Sequence, residues 1–308
     1  IAGYGGACTD TLTQDIDLAL TGIDLSLTPD QQICSGDELV INALKEKNLS
    51  VIKRDWNDPL FDWKTTHTVL FRSTWDYFDK FKLFKMWFDE TKNNCLMINS
   101  HEIVEWNIDK HYLLDLQEQQ IPIPKSEFIK KGSSVDLTLL MQEKNWNEIV
   151  VKPTISGAAK NTFRLKKEEL SQFDPTWKNL IHKEDFIVQE FQNNVITKGE
   201  VAMMVIGGKY THAVLKMAKE GDFRVQDDFG GSIAIYSPSE KMVKLAEKCT
   251  RILSPIPSYA RVDIIWDNSG DLAVSELELI EPELWFRLNP NAAQKLAEHV
   301  DLILSEKK

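Results

Sequence analysis

The segment 259–283 holds two apolar runs, VDII and LELI, on either side of the turn-forming residues DNSG. Two such runs around a turn predict an antiparallel β-hairpin. Because side chains on a strand alternate between faces, Arg261 and Asp263 share one face of the first strand. Glu276 and Glu278 share one face of the second strand. The fold must therefore accommodate a largely apolar hairpin that also carries several charges.

The register of this hairpin decides whether the charges meet. A four-residue turn at Asp267–Gly270 would place Asp263 opposite Val274 and Arg261 opposite Glu276, with all four ionic side chains on one side. A turn one residue longer or shorter would turn one strand over and separate the charges. The sequence thus predicts three carboxylates beside one guanidinium, on the condition that the turn has four residues.

Three carboxylates on one face repel one another unless cations neutralise them. Carboxylate oxygens without His or Cys suit magnesium, which proteins commonly hold with one or two carboxylates and the phosphates of a substrate. Arg261 could hold a phosphate beside such ions with its planar guanidinium group. The alternative is a solvated acidic edge strand, which the apolar VDII and LELI runs disfavour.

A second informative segment, EIVVKPTISGAAKNTFRL, reads as a strand, a loop of small residues and another strand. Lys152 ends the apolar run, so its ammonium group would lie at the mouth of the strand. Ser156, Gly157, Ala158 and Ala159 lack bulk, which lets backbone N–H groups approach phosphate oxygens. Taken alone, the segment fits an ordinary hairpin turn equally well.

The rest of the chain indicates an α/β protein in several parts. Strand and helix patterns alternate over about the first 105 residues, as in a parallel α/β lobe. Residues 1–34 sustain neither period, and a capping box at Ser35–Glu38 is expected to begin the first helix. Asn107 is expected to cap a helix that runs to Gln120. Four strands are predicted next, at 125–129, 148–152, 162–165 and 186–191, followed by hairpins.

Composition excludes some classes of function. The formal net charge of -11 lacks the basic surface that nucleic acids and anionic membranes require. No apolar run reaches the length of a membrane span, and no signal segment opens the chain. The four cysteines, Cys8, Cys34, Cys95 and Cys249, are widely scattered, which favours free thiols in a cytoplasmic protein.

The order of segments resembles the ATP-grasp superfamily, and within it the group that contains the D-cycloserine-forming ligase and relatives of glutathione synthetase. The likeness spans roughly residues 35–300. It is carried by WNDP, RSTWDY, WNIDK, IVVKP, SGAAKNT, VQEF, ARVD and ELELIEP. The resemblance implies an N-terminal parallel α/β lobe followed by two ATP-grasp lobes, with nucleotide bound between them. Expected domains are 1–105 for substrate, 106–190 for the small lobe and 191–308 for the lobe with the metal site.

Carried over to matching positions, the resemblance implies nucleotide contacts for Lys110, Lys152, Ser156, Gly157, Ala158, Gln189, Glu190, Phe191 and Glu200. The two lysines would contact the ATP phosphates, and the loop 156–161 would close over them. Backbone groups at 189–191 would pair with the adenine edge, and Glu200 would hold the ribose hydroxyls. Glu200 has a simpler alternative as half of a cross-strand ion pair with Lys216.

The resemblance also implies the catalytic centre. Asp263, Glu276 and Glu278 would bind two magnesium ions, for which manganese can substitute. Three cations are the expected catalytic residues, namely Arg261, Lys152 and Lys216. In this interpretation the guanidinium group steadies the γ-phosphoryl group while it is transferred.

Substrate contacts are predicted from two parts of the chain. The RSTWDY segment follows a predicted strand, at the edge where α/β lobes usually bind ligands. It offers both a guanidinium group and a carboxylate, and further polar residues precede Gly230. The predicted substrate residues are Arg72, Ser73, Trp75, Asp76, Arg224, Gln226 and Glu281, where Glu281 either binds an amine or serves as a further metal ligand.

The favoured function is an ATP-dependent ligase that activates a carboxylate as an acyl phosphate and joins it to an amine. Its partners would be small amino-acid-like or peptide substrates, and the resemblance also allows a homodimer. Two alternatives remain open, an ATP-grasp kinase and a nucleotide-binding regulatory protein without chemistry. The regulatory protein is disfavoured because a pure binder would not need the whole set of lysines, arginine and acids.

Overall fold

A computed structural model of the protein describes residues 17–22, 31–157, 160–219, 221 and 230–307, which form three β-sheets and nine α-helices. None of the helices in these ranges combines the length and the apolar character that a bilayer crossing requires. The two cysteines whose side chains are described, Cys95 and Cys249, are buried free thiols. The other two cysteines of the sequence have no described side chain.

The first sheet is parallel and contains β1 (Asp17–Gly22), β2 (Ser50–Asp55), β3 (Thr68–Ser73) and β4 (Leu96–Ile98), in the order β2-β1-β3-β4. Helices α1 (Gln31–Glu46) and α2 (Phe81–Thr91) connect its strands. Residues 1–34, where the sequence sustains neither the helix nor the strand period, include β1 and the start of α1. β1 is a central strand, and α1 begins four residues before the expected cap at Ser35. The run DLAL is too short to show a period, yet Leu18 and Ala19 are fully buried.

The second sheet is antiparallel and contains β5 (Ser126–Ile129), β6 (Glu148–Pro153), β7 (Phe163–Lys166) and β8 (Phe186–Glu190), in the order β5-β8-β6-β7. Helices α5 (Leu137–Lys144) and α6 (Leu170–Ile181) cover one face. Trp146, Trp177 and Phe186 belong to the core between these helices and the sheet. Alternate residues, including Val150 and Gln189, face the other way.

The third sheet is antiparallel and contains β9 (Glu200–Ile206), β10 (Lys209–Met217), β11 (Ser232–Tyr236), β12 (Tyr259–Trp266) and β13 (Leu272–Glu278), in the order β11-β10-β9-β12-β13. It is accompanied by the helices α7 (Asn194–Lys198), α8 (Glu240–Arg251) and α9 (Pro290–Glu306). The hairpin β12–β13 is the acidic hairpin of the sequence. It lies at one edge of the sheet order, next to β9.

Two short helices, α3 (His101–Asn107) and α4 (Tyr112–Glu118), connect the first sheet to the second. The prediction that Asn107 caps a helix is wrong, because Asn107 is the last residue of α3. Its side chain reaches β13 instead. Its Nδ2 donates to the carbonyl of Leu277 over 2.8 Å, and its Oδ1 accepts from the backbone N–H of Leu279 over 2.8 Å.

The first and third sheets share a core. Apolar side chains of α1 and β3 pack in one cluster with those of β9 and α9. The buried Asn99 adds polar contacts across this junction. Its Nδ2 donates to the carbonyls of Tyr259 and Leu279, each over 2.9 Å, and its Oδ1 accepts from the N–H of Ser258 over 2.6 Å. A buried amide with its donors and acceptor satisfied fixes the two sheets against each other.

Candidate active site

The acidic hairpin has a different register from the one the sequence predicted. Trp266 pairs with Leu272, so the turn has five residues, from Asp267 to Asp271, rather than four. An extra residue in the turn would by itself turn the second strand over. The predicted pairs of Asp263 with Val274 and of Arg261 with Glu276 are therefore wrong.

A β-bulge restores the arrangement that the longer turn would have destroyed. The register shifts between Asp263 and Ile264, because Ile264 pairs with Val274 while Asp263 pairs with Glu276. Ser275 is the additional residue on β13, and its hydroxyl oxygen lies 2.8 Å from a Glu200 carboxylate oxygen and 3.1 Å from the backbone carbonyl of Asp263. A bulge of this kind places two residues opposite one and re-aims the side chains beyond it.

As a result, the three acids of the hairpin converge. Carboxylate oxygens of Asp263, Glu276 and Glu278 all lie within 4.8 Å of one another. Asp263 is almost fully buried, and the two glutamates are partly exposed. The arrangement places three hard oxygen donors around one point on one face of the hairpin.

Each acid has a cationic partner. The Arg261 guanidinium group donates from Nε and Nη2 to Asp263 over 2.9 to 3.1 Å, and it also contacts Glu278. The ammonium group of Lys216, which is buried on β10, lies 3.0 Å from Asp263 and 2.5 Å from Glu200. Lys110 lies 3.2 Å from Glu276. These contacts compensate the mutual repulsion of the carboxylates.

Burial and charge act in opposite directions on these groups. Burial disfavours the charge of Glu276, but Lys110, Lys152 and Arg261 together hold its pKa at about 2. Burial raises the pKa of Glu278 to about 7, with Glu276 among the neighbours that add to the rise. Burial also lowers the pKa of the Lys152 ammonium group, against the opposing effect of Glu276.

A cavity of about 380 Å³ lies over the acids, between the second and third sheets. It contains most of the residues that the sequence nominated. Predicted site residues in its lining are Trp75, Lys110, Lys152, Ser156, Gly157, Gln189, Glu190, Phe191, Glu200, Lys216, Arg261, Asp263, Glu276, Glu278 and Glu281. Their presence in one cavity is a geometric fact, and the role of each remains a prediction.

The loop after β6 is held close to the acids. The Lys110 ammonium group donates to the carbonyl of Ser156 over 2.6 Å while its other contact is Glu276. Gly157 approaches the ring of Phe78 so closely that a Cβ at this position would overlap it. Lys160 forms an ion pair with Asp79. The loop therefore bridges the second sheet and the segment that follows β3.

The opposite end of the cavity is formed by the chain at the end of β8. Glu190 lies 3.5 Å from Lys125 through its carboxylate, and its backbone N–H donates to the carbonyl of Lys125 over 3.0 Å. Gln192, which sequence reasoning missed, also lines the cavity. Its Nε2 donates to the carbonyl of Glu190 over 2.8 Å, and its Oε1 accepts from the N–H of Asn268 over 2.8 Å.

Three predicted substrate residues are not in this lining. Arg72 is 4% exposed, with Nε 3.3 Å from Asp37 and Nη1 3.3 Å from the carbonyl of Pro282. Ser73 donates to the same aspartate over 3.0 Å. Asp76 accepts from the Trp56 indole over 2.7 Å and pairs with Lys80. These three side chains therefore make polar contacts with other groups of the protein, outside the lining of the cavity. Ala158, Arg224 and Gln226 lie outside the described residues.

Several lining residues were not predicted as site residues. Tyr77 and Phe78 follow Trp75, whose indole donates to the carbonyl of Glu281 over 2.9 Å and so draws this segment to the cavity. Arg287 also lines the cavity and pairs with Glu283 over 3.1 Å. The adjacency of these residues to RSTWDY and ELELIEP was the one signal in the sequence that could have indicated them.

The end of the cavity lined by Trp75, Glu281, Glu283 and Trp285 contains both acids and aromatic rings. Burial raises the pKa of Glu281 to about 8, with Glu278 adding to the rise. Burial also raises the pKa of Glu283, against the opposing effect of Arg72. Trp285 completes this wall, with its ring 5.6 Å from the Arg261 guanidinium carbon. A ligand that brings a positive charge would favour the ionised form of either glutamate.

The donor set fits magnesium. Three carboxylates converge without a histidine or cysteine among them, and Lys110, Lys152, Lys216 and Arg261 line the same cavity. Hard oxygen donors with free positions for substrate oxygens are typical of magnesium sites in enzymes that handle phosphates. Asp263, Glu276 and Glu278 would hold the metal there.

The cavity lies between two antiparallel sheets, with Lys152 on the side of β6 and the carboxylates on the side of β12 and β13, as the resemblance to ATP-grasp proteins implies. Residues 109–297 match the family model for the RimK-like ATP-grasp domain, and residues 19–99 match the model for the N-terminal domain of D-cycloserine synthetase DcsG. The first match spans more than half of the chain. The chain therefore belongs to the RimK-like ATP-grasp family, and the predicted fold class is confirmed.

Similar proteins agree with this assignment. The cycloserine biosynthesis protein DcsG of Streptomyces lavendulae is 26% identical over 277 residues, which cover 84% of this chain and 90% of that protein. The crystal structure of D-cycloserine synthetase DcsG has a TM-score of 0.82 at 24% identity and covers 94% of this chain and 99% of its own. The ATP-grasp ligase PsnB complexed with minimal precursor has a TM-score of 0.63 at 15% identity, with 92% and 99% covered. Likeness at these identities shows a shared fold.

Proposed function

We propose that this protein is an ATP- and magnesium-dependent ligase that joins the carboxylate of a small amino-acid-like or peptide substrate to an amine. It would form an acyl phosphate and release ADP and phosphate. The observation that carries this proposal is the meeting of three carboxylates with Lys110, Lys152, Lys216 and Arg261 around one cavity. The names of the relatives, a D-cycloserine synthetase and an ATP-grasp ligase, support the same reaction class.

The side chains fit the transfer of a phosphoryl group. Magnesium, when bound by the three acids, would neutralise charge on the phosphates. Lys110 and Lys152 would hold phosphate oxygens from the side of the second sheet. Arg261 is fixed by Asp263 and Glu278, so its guanidinium group is already oriented for the γ-phosphoryl group. Groups that are oriented before the reaction avoid reorganisation when charge develops.

The carboxylate and the amine substrates would lie beyond these groups, at the wall formed by Trp75, Glu281, Glu283 and Arg287. A carboxylate is a poor electrophile because its negative charge repels nucleophiles. Conversion to an acyl phosphate removes that charge. The amine can then attack the acyl carbon and displace phosphate as the leaving group. The two glutamates could receive a substrate ammonium group, and Arg287 could receive a carboxylate.

The direct test is an assay of phosphate release with ATP, magnesium and a broad panel of amino acids and short peptides, alone and in pairs. Phosphate release that depends on a carboxylate and an amine, with the coupled product seen by mass spectrometry, would support the proposal. Transfer of phosphate to a substrate hydroxyl without free phosphate would instead identify a kinase. Nucleotide binding without turnover across the panel would favour a regulatory binder.

Variants connect the activity to the proposed site. Asp263→Asn and Glu276→Gln are each expected to lower magnesium-dependent turnover at least about a hundredfold, while the circular dichroism spectrum is unchanged. Asp271→Asn makes the same chemical change in the exposed turn of the same hairpin, and it should retain wild-type turnover. Wild-type activity in either site variant would remove the metal assignment.

Finer features belong to the same proposal. Two magnesium ions are expected, and manganese should support turnover in their place, which metal titration can count and compare. A cytoplasmic location fits the scattered cysteines. Dimerisation is an expectation from the resemblance alone, and sedimentation equilibrium would measure it.

A further inference from the structure

Tyr77 lies in the turn that follows β3, and packing fixes its ring. The side chain is 5% exposed and belongs to a core cluster shared by β3 and α2. Its ring centroid lies 4.9 Å from that of Phe84 and 5.5 Å from that of Phe78. The backbone N–H of Tyr77 donates to the carbonyl of Thr74 over 3.1 Å. Backbone and ring therefore hold this tyrosine in one position in the lining of the cavity.

The hydroxyl of Tyr77 has no hydrogen-bond partner among the residues that the structure describes. Two tyrosines that are even less exposed do have one. Tyr259 donates to the carbonyl of Ile280 over 2.8 Å, and the oxygen of Tyr112 accepts from the N–H of Leu277 over 3.0 Å. Buried tyrosine hydroxyls usually find a partner within the protein. The exception indicates a hydroxyl that is kept for a ligand.

Carboxylates surround this hydroxyl. Burial raises the pKa of Tyr77 well above its ordinary value, and the charges of Glu281, Glu278 and Glu276 raise it further, with Glu281 the strongest of the three. The hydroxyl therefore stays protonated and does not act as a base. Its hydrogen is attracted to the carboxylates, which leaves the lone pairs of the oxygen for a donor in the cavity.

The carboxylate of Glu281 also lacks a cationic partner. Each of the three hairpin acids lies within ion-pair distance of a lysine or an arginine, whereas Glu281 has no ion pair within the described part of the chain. Its hydrogen bond is to its own backbone N–H. The indole of Trp75 fixes that backbone through the carbonyl of Glu281. A carboxylate and a hydroxyl oxygen thus share one wall of the cavity, and both accept N–H groups.

We propose that Tyr77 and Glu281 hold the amine substrate for its attack on the acyl phosphate, with the Tyr77 oxygen accepting one N–H and the Glu281 carboxylate another. This inference rests on the proposed ligase function. The nitrogen lone pair forms the bond to the acyl carbon, and the bond from that carbon to the phosphate oxygen breaks. Phosphate leaves with the bonding electrons and takes up the proton that the nitrogen gives up. Tyr77 acts in this step and not in the earlier phosphoryl transfer, because an amine that is held in one orientation reacts faster.

Competition between the substrate amine and hydroxylamine would isolate this step. Both attack the acyl phosphate, and they give an amide and a hydroxamate that mass spectrometry distinguishes. The reaction would contain ATP, magnesium, the substrates that give most product in the amino-acid and peptide panel, and hydroxylamine in large excess. Hydroxylamine in excess reacts without a held position, so Tyr77→Phe should raise the ratio of hydroxamate to amide about fivefold. The KM for ATP should not change.

Two variants act as controls. Tyr210→Phe makes the same chemical change at a half-buried tyrosine, at the other end of β10 from Lys216, and should leave the ratio unchanged. Tyr259→Phe removes a hydroxyl that has a partner, so it should lower the melting temperature. Tyr77→Phe should melt as the wild type does, because its hydroxyl holds no other group of the protein. A lower melting temperature, or a variant that does not fold, would show a structural role and overturn the inference.

The results separate this inference from the proposed function. An unchanged ratio in Tyr77→Phe, whether or not both products decrease together, overturns the role in holding the amine and leaves the ligase proposal intact. If the wild-type protein forms neither amide nor hydroxamate with any member of the panel, the proposed function fails, and the inference fails with it.

Discussion

Asn107 holds the backbone of β13 between two of the acids, and its removal should weaken both stability and metal binding. Its amide donates to Leu277, the residue between Glu276 and Glu278, and accepts from Leu279, with both hydrogen bonds at 2.8 Å. Asn107→Ala leaves two buried backbone groups without a partner. At about 1 to 3 kcal/mol for each group, the free energy of unfolding should fall by roughly 3 kcal/mol.

The same change should reach the metal site, because the backbone bonds on both sides of Glu278 would be lost. Groups that orient metal ligands typically change metal affinity by about 10- to 100-fold. Urea denaturation would measure stability, and electron paramagnetic resonance would measure manganese affinity with a non-hydrolysable ATP analogue. Trp177→Phe is the control, since it removes a 2.8 Å bond to the Val135 carbonyl in the second lobe. It should cost stability without a change in manganese affinity.

Asn107→Asp tests the direction of these bonds. The carboxylate can still accept from Leu279, but it presents lone pairs to the carbonyl of Leu277 where the amide donated. A protonated carboxyl group could donate again, so the stability of this variant relative to wild type should improve as the pH falls. The reasoning is wrong if Asn107→Ala loses less than about 1 kcal/mol, or if it binds manganese as the wild type does.

Two further predictions concern the loop after β6 and Glu281, which is partly exposed. Gly157→Ala should raise the KM for ATP about tenfold, because the added Cβ overlaps the Phe78 ring. Adding Phe78→Ala to the same chain should restore the wild-type KM. Steady-state kinetics of the single and double variants would test both expectations. The pKa of Glu281 is raised from 4.5 to about 8, so the folded state keeps a proton that the unfolded state loses, and wild-type stability falls as the pH rises between those values. Glu281→Gln should therefore gain thermal stability over wild type through this window in the absence of metal, and an advantage at pH 5 as large as at pH 8 would contradict the assignment.

Much of the fold was predictable because hydrophobic periods are local. The strands predicted at 148–152 and 186–191 lie within one residue of β6 and β8. β1 was missed because a strand that is short and flanked by polar residues shows no period, although Leu18 and Ala19 are fully buried. The position of β1 in the sheet is determined by its pairing with β2 and β3, and the sequence does not reveal that pairing. The domain boundaries at 105 and 190 remain predictions.

The acidic hairpin shows a different limit. The sequence correctly gathered Asp263, Glu276 and Glu278 on one face, but through a register that the structure does not have. Two departures from the expected pairing add to a shift of two residues: a turn one residue longer, and a bulge at Ser275. Neither has a strong sequence signal, since DNSGD can form a turn of either length. The prediction succeeded for the acids because a two-residue shift preserves the face of a strand.

Residues that act through long-range contacts were beyond prediction. Asn107 was assigned to a helix cap because an asparagine before a helical pattern usually has that role. In the structure its partners lie 170 and 172 positions further along the chain. Arg72 is the opposite case. A guanidinium group at a strand end was assigned to a substrate site, but in the structure it contacts Asp37 and the carbonyl of Pro282. Only the tertiary structure distinguishes these cases.

The acids and the loop after β6 form one electrostatic unit, because Lys110 contacts both. Its ammonium group donates to the carbonyl of Ser156 and pairs with Glu276, and that lysine helps to hold the glutamate pKa at about 2. Lys110 is buried and Glu276 is partly exposed, so removing the lysine leaves a glutamate that solvent, Lys152 and Arg261 compensate only in part. Lys110→Met should therefore be destabilising by itself, and less so when combined with Glu276→Gln. Thermal unfolding of the four proteins in this cycle without nucleotide or metal measures the coupling, and additive losses would show that the two sites are independent.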